Sequence, residues 1–201
     1  MLLAQMTKHD GATKTNAAFM TSPAIMQIDE IPLNQIGLLT DLYNAHASLV
    51  PLSDPVSPKR LLDARHFRCD SGSPPRASEQ AVLAAIENGS PVGFIHVAIG
   101  RFPGPELRGD EEEGETGAIR FLTYPPRRRD IGQSLLKAGE TYLLEHNVGR
   151  LLAFSNTTGY LFRRFAFGEV SDRCPHILGL MGINGYTVAR GEIFLESRNY
   201  E

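Results

Sequence analysis

Arg127, Arg128 and Arg129 stand directly ahead of Asp130 and Gly132 in the stretch YPPRRRDIGQSLL, Tyr124 to Leu136, where a strand-like run gives way to a helix-like one. The chemistry open to such a group is the binding of an anion. The first turn of a helix leaves main-chain N–H groups unpaired at the positive end of its dipole. A glycine there lets a ligand approach the backbone, and guanidinium forks match phosphate oxygens. Strand, basic loop, glycine and helix thus make a coherent pyrophosphate cradle. A plainer reading fits the same residues, with the arginines as a solvated loop and Gly132 as an indifferent helix residue, and the spacing leaves both open. Elsewhere, His46, His66 and His176 show no metal-ligand spacing, and Cys174 beside His176 makes no nucleophile pair, because such near neighbours on a helix point apart. No metal is expected.

The elements that must position this loop can be read from hydrophobic periodicity. AIRFLTY before it, from Ala118, predicts a strand, and the run from Asp130 places Ile131, Leu135, Ala138, Tyr142 and Leu143 on one helical face, with Gly149 as candidate C-cap. RLLAFSN, ending at Asn156, has the look of a buried strand, so strand, helix and strand follow in the order of a crossover unit. Upstream, AVLAAIENGSPVGFIHVAIG predicts a hairpin turning at Asn88-Gly89. AIMQIDEIP predicts a short strand, and helices are expected in LNQIGLLTDLYNAHASL and, capped by Ser57, in SPKRLLDARHF. Downstream, GYLFRRFAF and SDRCPHILGLMGIN predict short helices, and GYTVARGEIFLES one or two strands broken at Gly191. Residues 1–23 lack an apolar period and predict a disordered tail, leaving a single domain over 24–201.

A chain of 201 residues with 42% apolar and 21% charged residues suits one globular domain. The net charge of -3 argues against a general nucleic-acid binder. Two distant cysteines, Cys69 and Cys174, predict reduced thiols in the cytosol, and no run of apolar residues predicts a membrane span.

RRRDIGQSLL resembles the acyl-CoA loop of the GNAT acyltransferase superfamily, whose pattern is Q/R-x-x-G-x-G/A, with Arg127, Asp130 and Gly132 at its marked positions. The hairpin is similar to that family's second and third strands, and LLAFSN to its fifth, so the resemblance covers about Ala24 to Glu196. It implies an α/β (α+β) fold, a twisted, mixed, mostly antiparallel sheet with helices on both faces, and acetyl-CoA as co-substrate. Residue by residue, it assigns Leu122, Thr123 and Tyr124 to the pantetheine arm, which pairs with main chain as an added strand would. It assigns Arg127, Arg128, Arg129, Asp130, Ile131, Gly132, Gln133 and Ser134 to the pyrophosphate, and turns Asn156 towards the cofactor. Asp130 stands where the family has glycine and is expected to face the helix amides, its charge offset by the arginines. The family's proton-donor tyrosine is replaced by Arg163 or Met181, depending on alignment, and Tyr160 lies one turn earlier.

Acyl transfer to an amine needs a neutral nucleophile, a polarised thioester carbonyl and a proton for the departing thiolate. Tyr160 is the candidate donor, and His96 and Glu115 are candidate bases, each also open to a packed or solvated role. The acidic run DEEEGE ending at Glu115 hints at a cationic amine acceptor. The expected activity is N-acetyltransferase, in the cytosol and as a possible homodimer, with no nucleic-acid or membrane partner. The alternative is an acyl-CoA-binding sensor or scaffold of the same fold with weak or no turnover.

Overall fold

The computed structural model describes residues 2–8, 26–51, 53–66, 76–102, 115–155, 157–162 and 169–193, and the account below concerns these. β3 (Arg76–Glu87) and β4 (Ser90–Arg101) form the long hairpin, joined where Asn88 and Gly89 take φ of 51° and 76°. Two successive positive φ values give the turn a twist that matches its strands, which is why Asn-Gly sits there. β5 (Thr116–Thr123) runs antiparallel to β4, and β2 (Gln27–Glu30) borders β3 as an edge.

From β5 the chain enters α3 (Arg129–Glu145) and returns as β6 (Arg150–Ala153), parallel to β5 with Thr116 opposite Arg150 and Ile119 opposite Ala153. The predicted crossover is therefore present. The helix ends not at Gly149 but through Asn147, which takes the left-handed φ of 52°. The remaining strands are β7 (Val170–Ser171) and β8 (Tyr186–Ile193). Gly191 does not break β8; the irregularity falls earlier, where Arg190 faces Gln5 and Val188 faces Met6, leaving Ala189 as the extra residue.

The N-terminal expectation is overturned in part. Leu2–Lys8 forms β1, which pairs with β8 along its length and shares its other side between β6 at Met6–Lys8 and β7 at Leu3–Ala4. A strand flanked on both sides needs no amphipathic alternation, so LLAQMTK carries no periodic signal, and its partners lie more than 140 residues away. The domain thus includes residues ahead of 24; the rest of the expected tail, residues 9–23, lies outside the described residues.

Helices cover both faces. On one, Ile131, Leu135, Leu136 and Leu143 of α3 and Ile177, Leu180 and Met181 of α4 (Pro175–Ile183) pack on Ile95, Val97, Ile119 and Leu122. Gly139 lets α3 lie close, since a Cβ there would stand 2.7 Å from Ile95 Cδ1. On the other face, Ile36, Leu39 and Tyr43 pack on Val82, Phe94 and Phe121. Ile36 and Leu39 come from a 3-10 stretch (Leu33–Leu39) and Tyr43 from α1 (Thr40–Ala47) directly after it, where one continuous helix was expected. α2 (Pro58–Leu61) starts as predicted, with the Arg60 N–H donating to Ser57 Oγ at 3.2 Å. No described part of GYLFRRFAF is helical: Gly159 is a bend, Tyr160 irregular and Leu161–Phe162 a turn, and residues 163–167 lie outside the described residues.

Candidate functional site

β5 and β6 part company after one more link. The Phe154 N–H donates to the Ile119 carbonyl at 2.8 Å, and beyond that point no strand among the described residues pairs with β5 on that side. Phe154 makes the divergence: it is buried and holds φ of 57°, a conformation that costs a bulky residue energy and marks a place where local geometry is imposed by its surroundings. On its other side β5 carries a bulge, because His96 faces Phe121 while Val97 faces Ile119, which leaves Arg120 unmatched. A bulge turns successive side chains to the same face. Arg120 and Phe121 both enter the α1 side of the sheet.

Arg120 is 1% exposed, and its guanidinium serves several walls at once. Nε donates to the Thr158 carbonyl at 2.7 Å, Nη1 to the Ala64 carbonyl at 2.5 Å and to Gln80 Oε1 at 2.8 Å. Nη2 reaches the His66 and Gly159 carbonyls at 2.9 and 3.3 Å. Burial lowers its pKa to about 10, so it remains a cation near neutrality. Tyr160 follows these carbonyls, stacks on Phe121 and lies under the Arg120 cation, 5.4 Å from ring centre to Cζ.

Tyr160 and His96 are brought together, with the phenol oxygen 3.1 Å from Nδ1. The tautomer follows from the neighbours. Gln80 Nε2 donates to the Arg65 carbonyl, which leaves Gln80 Oε1 facing His96 Nε2 at 3.1 Å as an acceptor. Arg120 Nη1 also approaches Nε2 but at the longer 3.5 Å, so His96 is assigned its proton on Nε2, toward Gln80, and accepts the Tyr160 proton on Nδ1. Burial first, and then the Arg120 cation, hold His96 well below its ordinary 6.5. An imidazole kept neutral when folded gains its proton on unfolding, so its contribution to stability is complete above pH 6.5 and falls below it by about 1.4 kcal/mol per pH unit. Urea unfolding measured between pH 6.5 and about pH 5 is expected to show this slope, and H96Q to remove it. The smaller acid sensitivity of His176, also lowered by burial, should survive in that variant.

At the other end of the gap lies the arginine loop. The Arg128 N–H closes a turn on the Pro125 carbonyl at 2.8 Å, and Ile131 and Gly132 direct their N–H groups to the Arg128 carbonyl. Arg128 itself is engaged. Nη1 and Nη2 grip Glu87 at 3.1 and 2.5 Å, while Nε and Nη2 hold Asp130 at 3.0 and 2.7 Å. Both carboxyls are held below their usual values, chiefly by Arg128. The main-chain amides of Asp130 and Ile131 add to this for Asp130. Arg127 and Arg129 are exposed and make no ion pair among the described residues.

Other predicted site residues are placed differently from one another. Gly132 is buried beneath the Tyr124 ring, so that a Cβ there would stand 2.5 Å from Tyr124 Cζ. The Tyr124 hydroxyl donates to the His176 carbonyl at 2.8 Å, and burial pushes its pKa up to about 12. The Gln133 amide is paired with Asn184 at 2.8 and 3.1 Å. Leu122 and Thr123 are buried and Ser134 half-buried, while Asn156 and Arg163 lie outside the described residues. Glu115 is exposed at the foot of β5, its carbonyl accepting from Gly149 N–H at 3.4 Å. That is roughly 16 Å along the strand from Arg120, so the structure does not bring it to His96 and Tyr160. The sequence reading missed Arg120, Gln80, Glu87 and Phe154; a charge inside the apolar run AI-R-FLT was the one visible signal. Among the described residues no group of side chains could hold a metal ion, and no helix is long and apolar enough to cross a membrane.

A mixed, mostly antiparallel sheet, helices on both faces and a parallel pair that diverges beside a helix start define the chain as having the GNAT acetyltransferase fold. No protein-family model and no curated protein matches the sequence. Among solved structures, the chain is similar to the aminoglycoside N-acetyltransferase AAC(6')-Iy in complex with CoA, with a TM-score of 0.53 at 12% identity over 90% of this chain and 99% of that one. A predicted acetyltransferase from Clostridium acetobutylicum, solved with acetyl-CoA, gives 0.53 at 14% identity over 87% and 96%. An integron cassette protein of V. cholerae, VCH_CASS6, gives 0.52 at 19% identity over 87% and 93%. At these identities the likeness is one of fold.

Proposed function

We propose that the protein is an acetyl-CoA-dependent N-acetyltransferase that passes the acetyl group to a primary amine by direct attack on the thioester. The observation that carries this reading is the edge of β5 beyond Ile119, with which no strand among the described residues pairs and which leads to the basic front of α3. In this reading the main chain at Leu122, Thr123 and Tyr124 pairs with pantetheine as an added strand. The first turn of α3, through Ser134, takes the diphosphate, with Arg127 and Arg129 screening it. Asn156, outside the described residues, is assigned to the cofactor by the family resemblance alone. Tyr160 supplies the proton that the departing thiolate needs, with His96 as its partner. Glu115 is not drawn into the reading. A cytosolic setting and a homodimer complete it, with the acceptor left as an amine. The fold shared with proteins solved with CoA or acetyl-CoA supports it.

The second reading, a binding module without turnover, is favoured by one feature: the Tyr160 hydroxyl and His96 are bonded to each other inside the core. Thermal unfolding with CoA or acetyl-CoA tests the shared part. Ligand at a hundred times its dissociation constant is expected to add about 2.7 kcal/mol of stability, and no shift at millimolar ligand would end both readings. Release of free CoA thiol in the presence of an amine panel then separates enzyme from module.

A further inference from the structure

We infer that Glu87, on the hairpin, sets the affinity and selectivity of the CoA site by competing with the diphosphate for Arg128, so that cofactor entry exchanges the Arg128–Glu87 clasp for an Arg128–phosphate contact. The inference rests on the reading of α3 as a CoA diphosphate site.

The clasp is specific. Arg128 is the middle arginine, and it ends the loop immediately before α3, where a diphosphate at the helix front would meet it. Its forked face is filled from within the chain: Glu87 takes both Nη atoms and Asp130 takes Nε with Nη2. Glu87 reaches it from the last position of β3, its side chain 13% exposed, whereas the Asp130 side chain is 61% exposed. Two carboxylates on one guanidinium leave the cluster one unit negative, and that charge repels an incoming phosphate. Both carboxylates are held through at least two hydrogen bonds, and Glu87 is the stronger competitor of the two because it is the less solvated. Asp130, more exposed and next in the helix, can turn to water.

A selectivity follows. Only a ligand bearing phosphate charge can replace a carboxylate on Arg128, so the clasp is a cost borne by diphosphate-bearing ligands alone, and it narrows the gap in affinity between them and neutral thioesters. Pantetheine, which has the same arm and no phosphate, gains nothing from opening it. CoA and dephospho-CoA, which share the diphosphate, do.

The test is calorimetric titration of the full chain with CoA, dephospho-CoA and pantetheine, comparing wild type, Glu87→Gln, Arg128→Gln and the double variant. Gln keeps the shape of Glu87 and one acceptor, so the hairpin is held. Expected results are a Kd for CoA and dephospho-CoA lowered about five- to tenfold in Glu87→Gln, with a steeper salt dependence, and no change for pantetheine. In the Arg128→Gln background the same Glu87 change should have no effect, because its target is gone. Equal CoA affinity in wild type and Glu87→Gln, or the same gain with Arg128 absent, overturns the competition while leaving the CoA site standing. CoA binding in neither wild type nor Glu87→Gln overturns both.

Discussion

Arg120→Met is expected to destabilise the fold by at least about 2 kcal/mol in urea unfolding, with Arg120→Lys falling between it and wild type. Opposing effects must be weighed. Burying the cation is itself costly: the fall of its pKa from 12.5 to about 10 corresponds to about 3 kcal/mol, which methionine would recover. Methionine, however, leaves the carbonyls of Ala64, His66, Thr158 and Gly159 and the amide oxygen of Gln80 without this donor. A buried acceptor stripped of its partner costs about 1–3 kcal/mol, so the sum over these groups exceeds the recovered desolvation. Replacing one side of a buried polar cluster differs in this respect from replacing both. Lysine keeps the charge but has a single nitrogen, which cannot span carbonyls lying on opposite walls. A Met variant within a few tenths of a kcal/mol of wild type would mean that these carbonyls find water or other donors, and that Arg120 does not stitch the walls together.

Arg120 also shows where reading the sequence stops. The hairpin was legible because Asn88-Gly89 is a local signal and the alternation on either side is long. The crossover through α3 was legible because a helical stripe between two apolar runs admits few arrangements. A bulge has no such signature: whether His96 faces Phe121 or Arg120 depends on the partner strand, and AIRFLTY reads as an ordinary strand with one misplaced charge. The same holds for contacts made by the finished fold. Glu87 meets Arg128 across 41 positions and His96 meets Tyr160 across 64, so the types were visible and the pairings were not. His96 and Tyr160 were singled out as separate candidates, and only the packing of the turn at Thr158 and Gly159 on Arg120 sets one against the other. β1 escaped for a related reason, because a strand held between two others owes its conformation to neighbours remote in the chain.

Gly132 admits two explanations, and one substitution pair decides between them. If it is glycine so that a diphosphate can approach, Gly132→Ala should weaken CoA binding whatever lies at residue 124. If it is glycine because the Tyr124 ring lies on it, the loss should be one of stability and should depend on that ring. The atoms favour the second: an added Cβ would meet Tyr124 Cζ, Cε1 and Cε2 at 2.5, 2.6 and 2.8 Å, and the ring is fixed from its far end by the bond to the His176 carbonyl. A forced fit of this kind costs about 1–3 kcal/mol. Against it stands the gain of about 1 kcal/mol that alanine brings to a helix over glycine. Gly132→Ala alone is therefore expected to lower unfolding free energy by up to about 2 kcal/mol. In a Tyr124→Leu background, where the ring is gone, only the helix gain remains and the same change should become neutral or stabilising, a coupling of about 2 kcal/mol in the double-mutant cycle. The CoA affinity of the folded double variant should stay within about threefold of Tyr124→Leu, since the helix amides that would host the diphosphate are untouched. Additive losses of stability, or CoA binding lost with Gly132→Ala in both backgrounds, would return the glycine to the cofactor.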